Sequence, residues 1–451
     1  MPIPFILHVI QEGWPEALPN PWHFIRAGST IAAVAATKRY MEGAACTAEK
    51  DMHGRVVLMT GGTSGIGAIT AYQLAQRGAQ LVLLTRQPAS DPFLVDYIED
   101  LRERTNNNLI YAEQVDLCDL HSVRQFATRW IDNVPPRRLD MVILCAATMT
   151  PPGGKRTETP EGIETTWMVN YLANFHLLGI LSPAIRAQPF DRDVRIILPT
   201  CSTYISSPPL DVPMDEKDWS PGRAYARSKL ALMVFGQAYQ KHLDSYNRPD
   251  KLPMNARVFL VDPGYTRTPG MRRWLTRGSL FGLFIYIILW LLAWLFLKSP
   301  FMGAQSILWA TLEGSLVRDK GGKLVKECME VDSARKDVND EEVAKKLWEE
   351  SDKLIEAAEK QSAMRRAREK EEQRKKGQKE EGTQGKKQQT QEKPKGNSKG
   401  RSKEEDEKAA TAAEIEALIK TIAKNKEQKD GQKPKGGKNT KKSGKAASSS
   451  S

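Results

Sequence analysis

The chain has 451 residues, of which 40% are hydrophobic and 27% are charged, with a formal net charge of +12. This hydrophobic fraction supports a globular core and excludes a wholly disordered chain. The last 91 residues hold 26 Lys and Arg against 14 Asp and Glu and contain no Phe, Trp or Tyr. The whole net charge therefore belongs to this end of the chain, and we predict a disordered Lys/Glu-rich tail over residues 358–451.

The N-terminal segment, residues 1–50, lacks the basic and apolar regions of a secretory signal. Residues 29–37 within it are small and apolar and are flanked by Arg26 and Lys38. This stretch is too short to span a bilayer but long enough to rest at its surface, so we predict a membrane-peripheral segment. Five cysteines without a CxxC pair indicate a reducing compartment.

A strand, a glycine-rich loop and a helix are predicted in succession over residues 55–59, 60–67 and 68–77. The loop reads Thr-Gly-Gly-Thr-Ser-Gly-Ile-Gly, and a second apolar strand is predicted at residues 80–84. Glycines let the backbone turn sharply, so that amide groups and a helix N-terminus can face a pyrophosphate. Structural glycines in a tight turn are the alternative. The predicted dinucleotide-binding residues are Thr60, Gly61, Gly65, Ile66 and Gly67.

The spacing TGxxxGxG resembles the short-chain dehydrogenase/reductase family, and later elements resemble its retinol-dehydrogenase-like branch. The resemblance covers residues 51–357 and implies an α/β fold with a doubly wound parallel sheet of the Rossmann type. The further matching positions are Asp116, Leu117, Asn170, Tyr225, Lys229, Pro263, Gly264 and Thr266. It implies that the first two contact the adenine ring, that Asn170 holds a water in a proton relay, and that the last three close over nicotinamide.

Tyr225 and Lys229 are spaced i, i+4 and therefore share one face of a helix. An ammonium beneath the phenol would lower a pKa that starts at about 10, which makes Tyr225 a candidate general acid. The resemblance implies that Lys229 also contacts the nicotinamide ribose. An ordinary amphipathic helix carrying a Tyr and a Lys is the alternative.

The second strand ends in Thr85-Arg86. An acidic residue at this point would bind the ribose 2′-hydroxyl of NAD, whereas the planar fork of an arginine suits a 2′-phosphate. We therefore predict that Arg86 selects NADP, with NAD as the alternative. No metal site is predicted.

Two positions depart from the family pattern. Residues 144–147 read Leu-Cys-Ala-Ala where the family has Asn-Asn-Ala-Gly, and Cys201 stands where the family has its carbonyl-orienting serine. A thiol is a weaker hydrogen-bond donor than a hydroxyl. Three alternatives stay open: Ser202 or Thr200 substitutes through a local shift, the carbonyl is polarised mainly by Tyr225, or the site no longer turns over. A covalent nucleophile is a further interpretation of Cys201, but no His lies near it in sequence, which favours a buried structural thiol.

Twenty consecutive uncharged residues separate Arg277 from Lys298. As one helix the large apolar part would be about 27 Å long, close to the thickness of the hydrocarbon core. However, a helix to residue 312, a strand at 321–324 and a helix at 343–355 resemble the last elements of the same sheet domain. The chain must then return to its own side, so residues 279–297 are predicted to form a re-entrant or in-plane membrane element at the substrate lid. A full crossing and a buried helix are the alternatives.

A lid in the bilayer favours a lipophilic small-molecule substrate. The sequence therefore predicts an NADP-dependent oxidoreductase that reduces a lipid-type ketone or aldehyde on the cytosolic face of the endoplasmic reticulum membrane, with the lipid-droplet surface as the alternative location. A nucleotide-binding pseudoenzyme that acts as a membrane scaffold is the rival hypothesis. Residues 101–105, 135–140 and 191–197 are also similar to a fungal group of membrane-associated oxidoreductases.

The tail has partner hypotheses of its own. Its charge suits contact with anionic lipid, a ribosome or RNA. Residues 414–424 place Ile415, Leu418, Ile419 and Ile422 at helical spacing, which predicts a short amphipathic docking helix. A homo-oligomer is the remaining partner hypothesis.

Overall fold

The computed structural model of the protein describes residues 20–212, 214 and 217–389. It confirms the predicted α/β fold with a doubly wound sheet. Eight strands form one sheet in the order β3-β2-β1-β4-β5-β6-β7-β8, in which only the β7–β8 pair is antiparallel. The strands are β1 Val56–Thr60, β2 Gln80–Thr85, β3 Ile110–Gln114, β4 Met141–Leu144, β5 Val194–Pro199, β6 Ala256–Asp262, β7 Lys323–Lys326 and β8 Met329–Val331.

Helices cover both faces of this sheet. Strand β1 is buried throughout, with Val56 and Leu58 in one core and Val57 and Met59 in the other. Helices α4, α5, α6 and α11 pack on the first core, and α2, α3 and α10 pack on the second. The helices are α1 Pro21–Glu42, α2 Gly65–Gln76, α3 Pro92–Thr105, α4 Leu120–Ile131, α5 Thr165–Arg186, α6 Pro221–Asp244, α7 Pro269–Leu275, α8 Leu280–Ile288, α9 Trp290–Phe296, α10 Pro300–Leu312 and α11 Glu341–Gln389.

The order of the strands reverses between β1 and β4. In open α/β sheets ligands bind in the crevice at such a switch point, beyond the carboxyl ends of the strands. The glycine-rich loop leaves β1 at this end of the sheet. The fold therefore places the glycine-rich loop, residues 60–67, where a dinucleotide site is expected. We call this loop the cradle.

Within the described residues, α5 is the one helix long and apolar enough to cross a membrane. It lies beside the switch point, and 72% of its most apolar window is buried inside the protein. Burial of this extent identifies α5 as a core helix of the sheet domain.

The predicted membrane element is a pair of short helices and not one long helix. Helix α8 ends before Leu289, whose backbone leaves the helical conformation, and α9 begins directly after it. The longer segment that carries α7 and this pair begins and ends at one place, because Thr266 and Lys298 pair as neighbouring extended residues. We call α8 and α9 the apolar hairpin. Leu280 is 86% exposed and Phe281 is 73% exposed.

Helix α1 packs against the apolar hairpin. Lys38 Nζ donates hydrogen bonds to the carbonyl oxygens of Trp294, at 2.8 Å, and Leu297, at 3.2 Å. A cation at these carbonyls complements the dipole of α9. The N-terminal segment is therefore joined to the predicted membrane element.

The C-terminal helix α11 runs past residue 357, where we placed the start of the tail. Leu347, Ile355 and Ala358 are buried in the core. Arg124 donates to both oxygens of Glu359, at 2.5 and 2.6 Å, which ties the helix to α4. The predicted boundary thus falls inside a helix. Residues 390–451, which include the predicted helix at 414–424, lie outside the described residues.

Candidate active site

The glycine-rich loop is packed so closely that side chains cannot fit at two of its glycines. A Cβ on Gly67 would lie 2.1 Å from the Gly61 carbonyl oxygen, and one on Gly61, whose φ is +67°, would lie 2.7 Å from Ala146 N. Thr60 Oγ1 accepts a 3.1 Å hydrogen bond from that same Ala146 amide. The first-turn N–H groups of α2 receive no side-chain cap from Ser64. Open amides beside close-packed glycines fit a dinucleotide pyrophosphate. The predicted residues Thr60, Gly61, Gly65, Ile66 and Gly67 all lie at the end of β1, in this loop or in the first turn of α2.

Tyr97 supports the loop from helix α3, and sequence reasoning missed it. Its hydroxyl donates a 2.8 Å hydrogen bond to the Gly62 carbonyl oxygen. Burial raises the pKa of Tyr97 to about 12, so the phenol stays a donor. Sequence reasoning could not find this contact, because the tyrosine is far from the loop in sequence and lies in an amphipathic helix without a recognisable motif.

The predicted selectivity residue Arg86 comes directly after β2 and is exposed. Among the described residues its guanidinium has no hydrogen-bond or ion-pair partner. Thr85 pairs with Gln114 at the end of β3, so Asp116 and Leu117 lie just beyond the neighbouring strand. Asp116 Oδ1 accepts a 2.8 Å hydrogen bond from Cys118 N. The sheet therefore places the predicted adenine-side residues next to an arginine that is available to an anion.

Tyr225 and Lys229 lie on helix α6 as predicted. Lys229 Nζ is 5.7 Å from the centroid of the Tyr225 ring and donates a 2.9 Å hydrogen bond to the Pro199 carbonyl oxygen at the end of β5. Lys229 is buried, whereas Tyr225 is partly buried. The pair is thus fixed at the carboxyl end of the sheet.

Cys201, and not Ser202, is the residue after β5 that contacts the phenol. The Cys201 thiol lies close enough to Tyr225 to raise the pKa of the phenol, and its Sγ is 2.7 Å from Thr203 Oγ1. The Ser202 hydroxyl instead donates to Asp262 and accepts a 3.1 Å hydrogen bond from Lys326 Nζ. Because its hydroxyl is bound to these two partners, Ser202 is less suited than Cys201 to orient a carbonyl, and which of them does so stays a prediction.

Asn170 acts as a clamp between segments of the site. It lies in a π-helical turn of α5, Met168–Leu172, and is fully buried. Its Oδ1 accepts from Thr148 N at 2.8 Å, and its Nδ2 donates to Thr148 O and to Ser228 Oγ, both at 3.0 Å. The clamp joins the loop after β4 to the helix that carries Lys229. The water relay through Asn170 stays a prediction.

The loop after β6 lies against the cradle. Gly264 has a φ of +75°, and Thr266 Oγ1 donates a 3.2 Å hydrogen bond to its carbonyl oxygen. The Thr268 methyl group would lie 3.3 Å from a Cβ placed on Gly65. Pro263 begins this loop directly after β6. Its position against α2 allows the loop to close over the nicotinamide end of a bound dinucleotide.

Comparison with known proteins agrees with this geometry. The family model for short chain dehydrogenases matches residues 55–277. The "Uncharacterized oxidoreductase pbr1" of Schizosaccharomyces pombe is 41% identical over 80% of this chain and 97% of that protein. Retinol dehydrogenase 13 of Mus musculus is 30% identical over 73% of this chain and 92% of that protein. Polyprenol dehydrogenase of Mus musculus is 30% identical over 67% of this chain and 84% of that protein.

The chain belongs to the short-chain dehydrogenase family. It is therefore an NAD(P)-dependent dehydrogenase or reductase, as predicted. The close-packed glycines, the uncapped first turn of α2 and the available Arg86 are features of its own structure that fit such a cofactor. The tyrosine and lysine of this short-chain dehydrogenase stand where the cofactor loop and the closing loop converge.

The electrostatics of this short-chain dehydrogenase differ from the prediction at Tyr225. Burial raises the pKa of Tyr225 well above its ordinary value, and the neighbouring Cys201 and Asp262 raise it further. Burial also lowers the pKa of Lys229. The predicted lowering of the phenol pKa by the ammonium was wrong for this arrangement, because burial of the phenol has the larger and opposite effect on its pKa. A protonated phenol is suited to donate a proton.

Proposed function

We propose that this short-chain dehydrogenase is a membrane-associated, NADP-dependent reductase of a lipophilic ketone or aldehyde. The observation that carries the proposal is a partly buried Tyr225 that lies between the glycine-rich loop and the loop after β6, which leads into an exposed apolar hairpin. When bound, the dinucleotide supplies the hydride. Tyr225 gives its proton to the carbonyl oxygen, and Cys201 orients that oxygen through its thiol. Lys229 holds the helix to β5 and would contact the nicotinamide ribose of a bound cofactor.

NADP is favoured over NAD by Arg86. Its guanidinium has no carboxylate partner within the described residues, which suits a 2′-phosphate. Position 86 is an arginine and not the acidic residue that would bind the ribose 2′-hydroxyl of NAD. Arg86→Gln should weaken NADPH binding at least tenfold and leave NADH binding nearly unchanged, measured by protein fluorescence quenching. Arg129→Gln, an exposed arginine on α4, is the matched control. Equal losses for both cofactors would contradict the assignment of NADP.

The substrate class is supported by the lid and by the names of two relatives. Retinol and polyprenol are apolar alcohols, and enzymes named for them match most of this chain. The hairpin beside the closing loop exposes large apolar side chains, which suits entry of a substrate from the hydrocarbon layer. We place the protein on the cytosolic face of the endoplasmic reticulum membrane, with the lipid-droplet surface as the alternative. Its five cysteines, all free thiols, suit the reducing side.

The test of catalysis is Tyr225→Phe in the full chain. Loss of the general acid should slow NADPH-dependent reduction of lipid carbonyls by about 100- to 10,000-fold. Turnover is measured with membranes and NADPH, and the substrate is identified by lipidomics of cells that carry each variant. Tyr111→Phe, an exposed tyrosine on β3, is the control and should behave as wild type. Equal turnover and equal lipid profiles in the two variants would overturn the proposed function.

A further inference from the structure

The segment from the loop after β6 to the end of α10, residues 263–312, carries basic residues without acidic ones. Residues 263–312 contain no Asp or Glu, whereas four arginines and one lysine lie among them. The lysine, Lys298, is buried and paired with Glu327. We call the four arginines the arginine cluster. They are Arg267, Arg272, Arg273 and Arg277.

The arginine cluster has no carboxylate partner within the described part of the chain. Arg272, Arg273 and Arg277 are exposed on and just after helix α7. Arg267 lies over the Trp290 ring at 5.9 Å, and its Nη1 is buried without a hydrogen-bond acceptor. Many other arginines of the protein are paired, such as Arg248 with Asp250 at 2.5 Å. The cluster is thus free to bind an external anion.

The arginine cluster lies at the entrance to the apolar hairpin. Arg277 precedes Leu280 by three residues, and Arg267 contacts α9. Within the hairpin and α1, seven large hydrophobic side chains are each at least 63% exposed. These are Trp22, Ile31, Tyr40, Leu280, Phe281, Ile287 and Ile288. A nucleic acid or an acidic peptide would neutralise the arginines but would leave these side chains in water. A bilayer surface satisfies both sets of groups at once.

The dimensions of the hairpin also suit a membrane interface. Helices of nine and seven residues are about 14 and 11 Å long, which is less than half of the hydrocarbon thickness of about 30 Å. Because the chain leaves at Thr266 and returns at Lys298 beside it, both ends stay at one depth. Stacked Trp290 and Trp294, with centroids 6.5 Å apart, are residues typical of the headgroup level.

We propose that the hairpin docks in the plane of a bilayer that contains anionic phospholipids, and that Arg272, Arg273 and Arg277 bind their phosphate-bearing headgroups. The inference rests on the membrane association in the proposed function and adds the lipid class and the residues that recognise it. Helix α7 comes directly after the loop that closes over the cofactor, so docking places the mouth of the active site against the lipid.

The test is flotation of the purified full chain with vesicles of phosphatidylcholine alone or mixed with phosphatidylserine. Wild type should bind the mixed vesicles more tightly, and added salt should weaken this preference. Replacement of Arg272, Arg273 and Arg277 by Gln should reduce partitioning into mixed vesicles by on the order of 100-fold. The matched control replaces Lys345, Lys353 and Lys360, which are exposed on α11, by Gln and removes the same charge. Both variants keep the basic tail, so its contribution cancels.

Two outcomes would overturn the proposal: equal partitioning of the two triple variants, or no preference of wild type for phosphatidylserine. Circular dichroism and NADPH binding verify that each variant is folded. Tyr225→Phe should float as wild type does. If Tyr225→Phe retained turnover while the arginine variant lost binding, the proposed function would fail and the lipid surface would stand.

Discussion

Cys201 comes shortly after β5, where the family resemblance implies a serine that orients the carbonyl. From the sequence, either Cys201 or Ser202 could orient the substrate carbonyl, because both residues follow the same strand. The structure separates them through Asp262 and Lys326, which hold the Ser202 hydroxyl away from Tyr225. These two partners lie on β6 and β7, far away in sequence, so local reasoning could not have chosen between the neighbours.

Cys201→Ser should therefore improve the enzyme. A hydroxyl is a stronger donor than a thiol, and a net gain of about 1 kcal/mol corresponds to about a five-fold higher kcat/KM for reduction. Steady-state kinetics with NADPH and a lipid aldehyde measure the change. Cys46→Ser, a half-buried thiol in the N-terminal segment, is the control. A decrease in kcat/KM would show that the thiol has a role that a hydroxyl cannot fill.

The raised pKa of Tyr225 predicts opposite pH profiles for the two directions. Reduction needs the protonated phenol, which persists below its pKa, so reductive kcat/KM should stay flat through neutral pH and fall only above about 10. Oxidation of the alcohol needs the phenolate and should rise with pH over the alkaline range. Initial rates from pH 6 upward test both. A reductive loss centred near neutral pH would show that the phenol is ionised more readily than burial allows.

The helices and strands that could be predicted from the sequence are those marked by the pattern of their own residues. Buried parallel strands are continuous apolar runs, so β1 and β2 were predicted within one residue of their observed bounds, Val56–Thr60 and Gln80–Thr85. The break at Leu289 has no neighbouring Gly or Pro to mark it in the sequence. Helix α11 extends beyond its predicted end through a segment with few apolar residues, and its Glu359 pairs with Arg124, a residue far away in sequence that local reasoning could not use.

The close packing of the glycine-rich loop should make cofactor binding sensitive to a side chain at Gly67. In Gly67→Ala the new methyl group would meet the Gly61 carbonyl oxygen at 2.1 Å, so the loop must move away from its packed position. We expect at least tenfold weaker NADPH binding with little change in secondary structure, measured by fluorescence titration and circular dichroism. Gly179→Ala in α5 is the matched control, because nothing lies within 4 Å of its new Cβ. It should bind NADPH normally and gain up to about 1 kcal/mol of stability. Unchanged NADPH binding in Gly67→Ala would show that the glycine-rich loop is not part of the cofactor site.

At the scale of the whole molecule, the apolar hairpin is constrained by the elements that come after it in the chain. Strand β7 pairs with β6, and helix α10 packs on the second core, so the chain on both sides of the hairpin belongs to one folded body. A single crossing at residues 280–297 would place these elements on the opposite face of the membrane from their own sheet. The pairing of Thr266 with Lys298 also brings together the two ends of the longer segment that carries α7 and the hairpin.

We therefore expect epitope tags on either side of the hairpin to share one side of the membrane. Gly153 lies in open space and Lys320 is exposed, so a tag after each should be tolerated. In sealed vesicles, added protease should remove both tags at the same rate, and a luminal marker should survive until detergent is added. Protection of one tag alone would mean that residues 280–297 cross the bilayer. In that case β7 could not pair with β6 in the same molecule, and the sheet itself would have to differ.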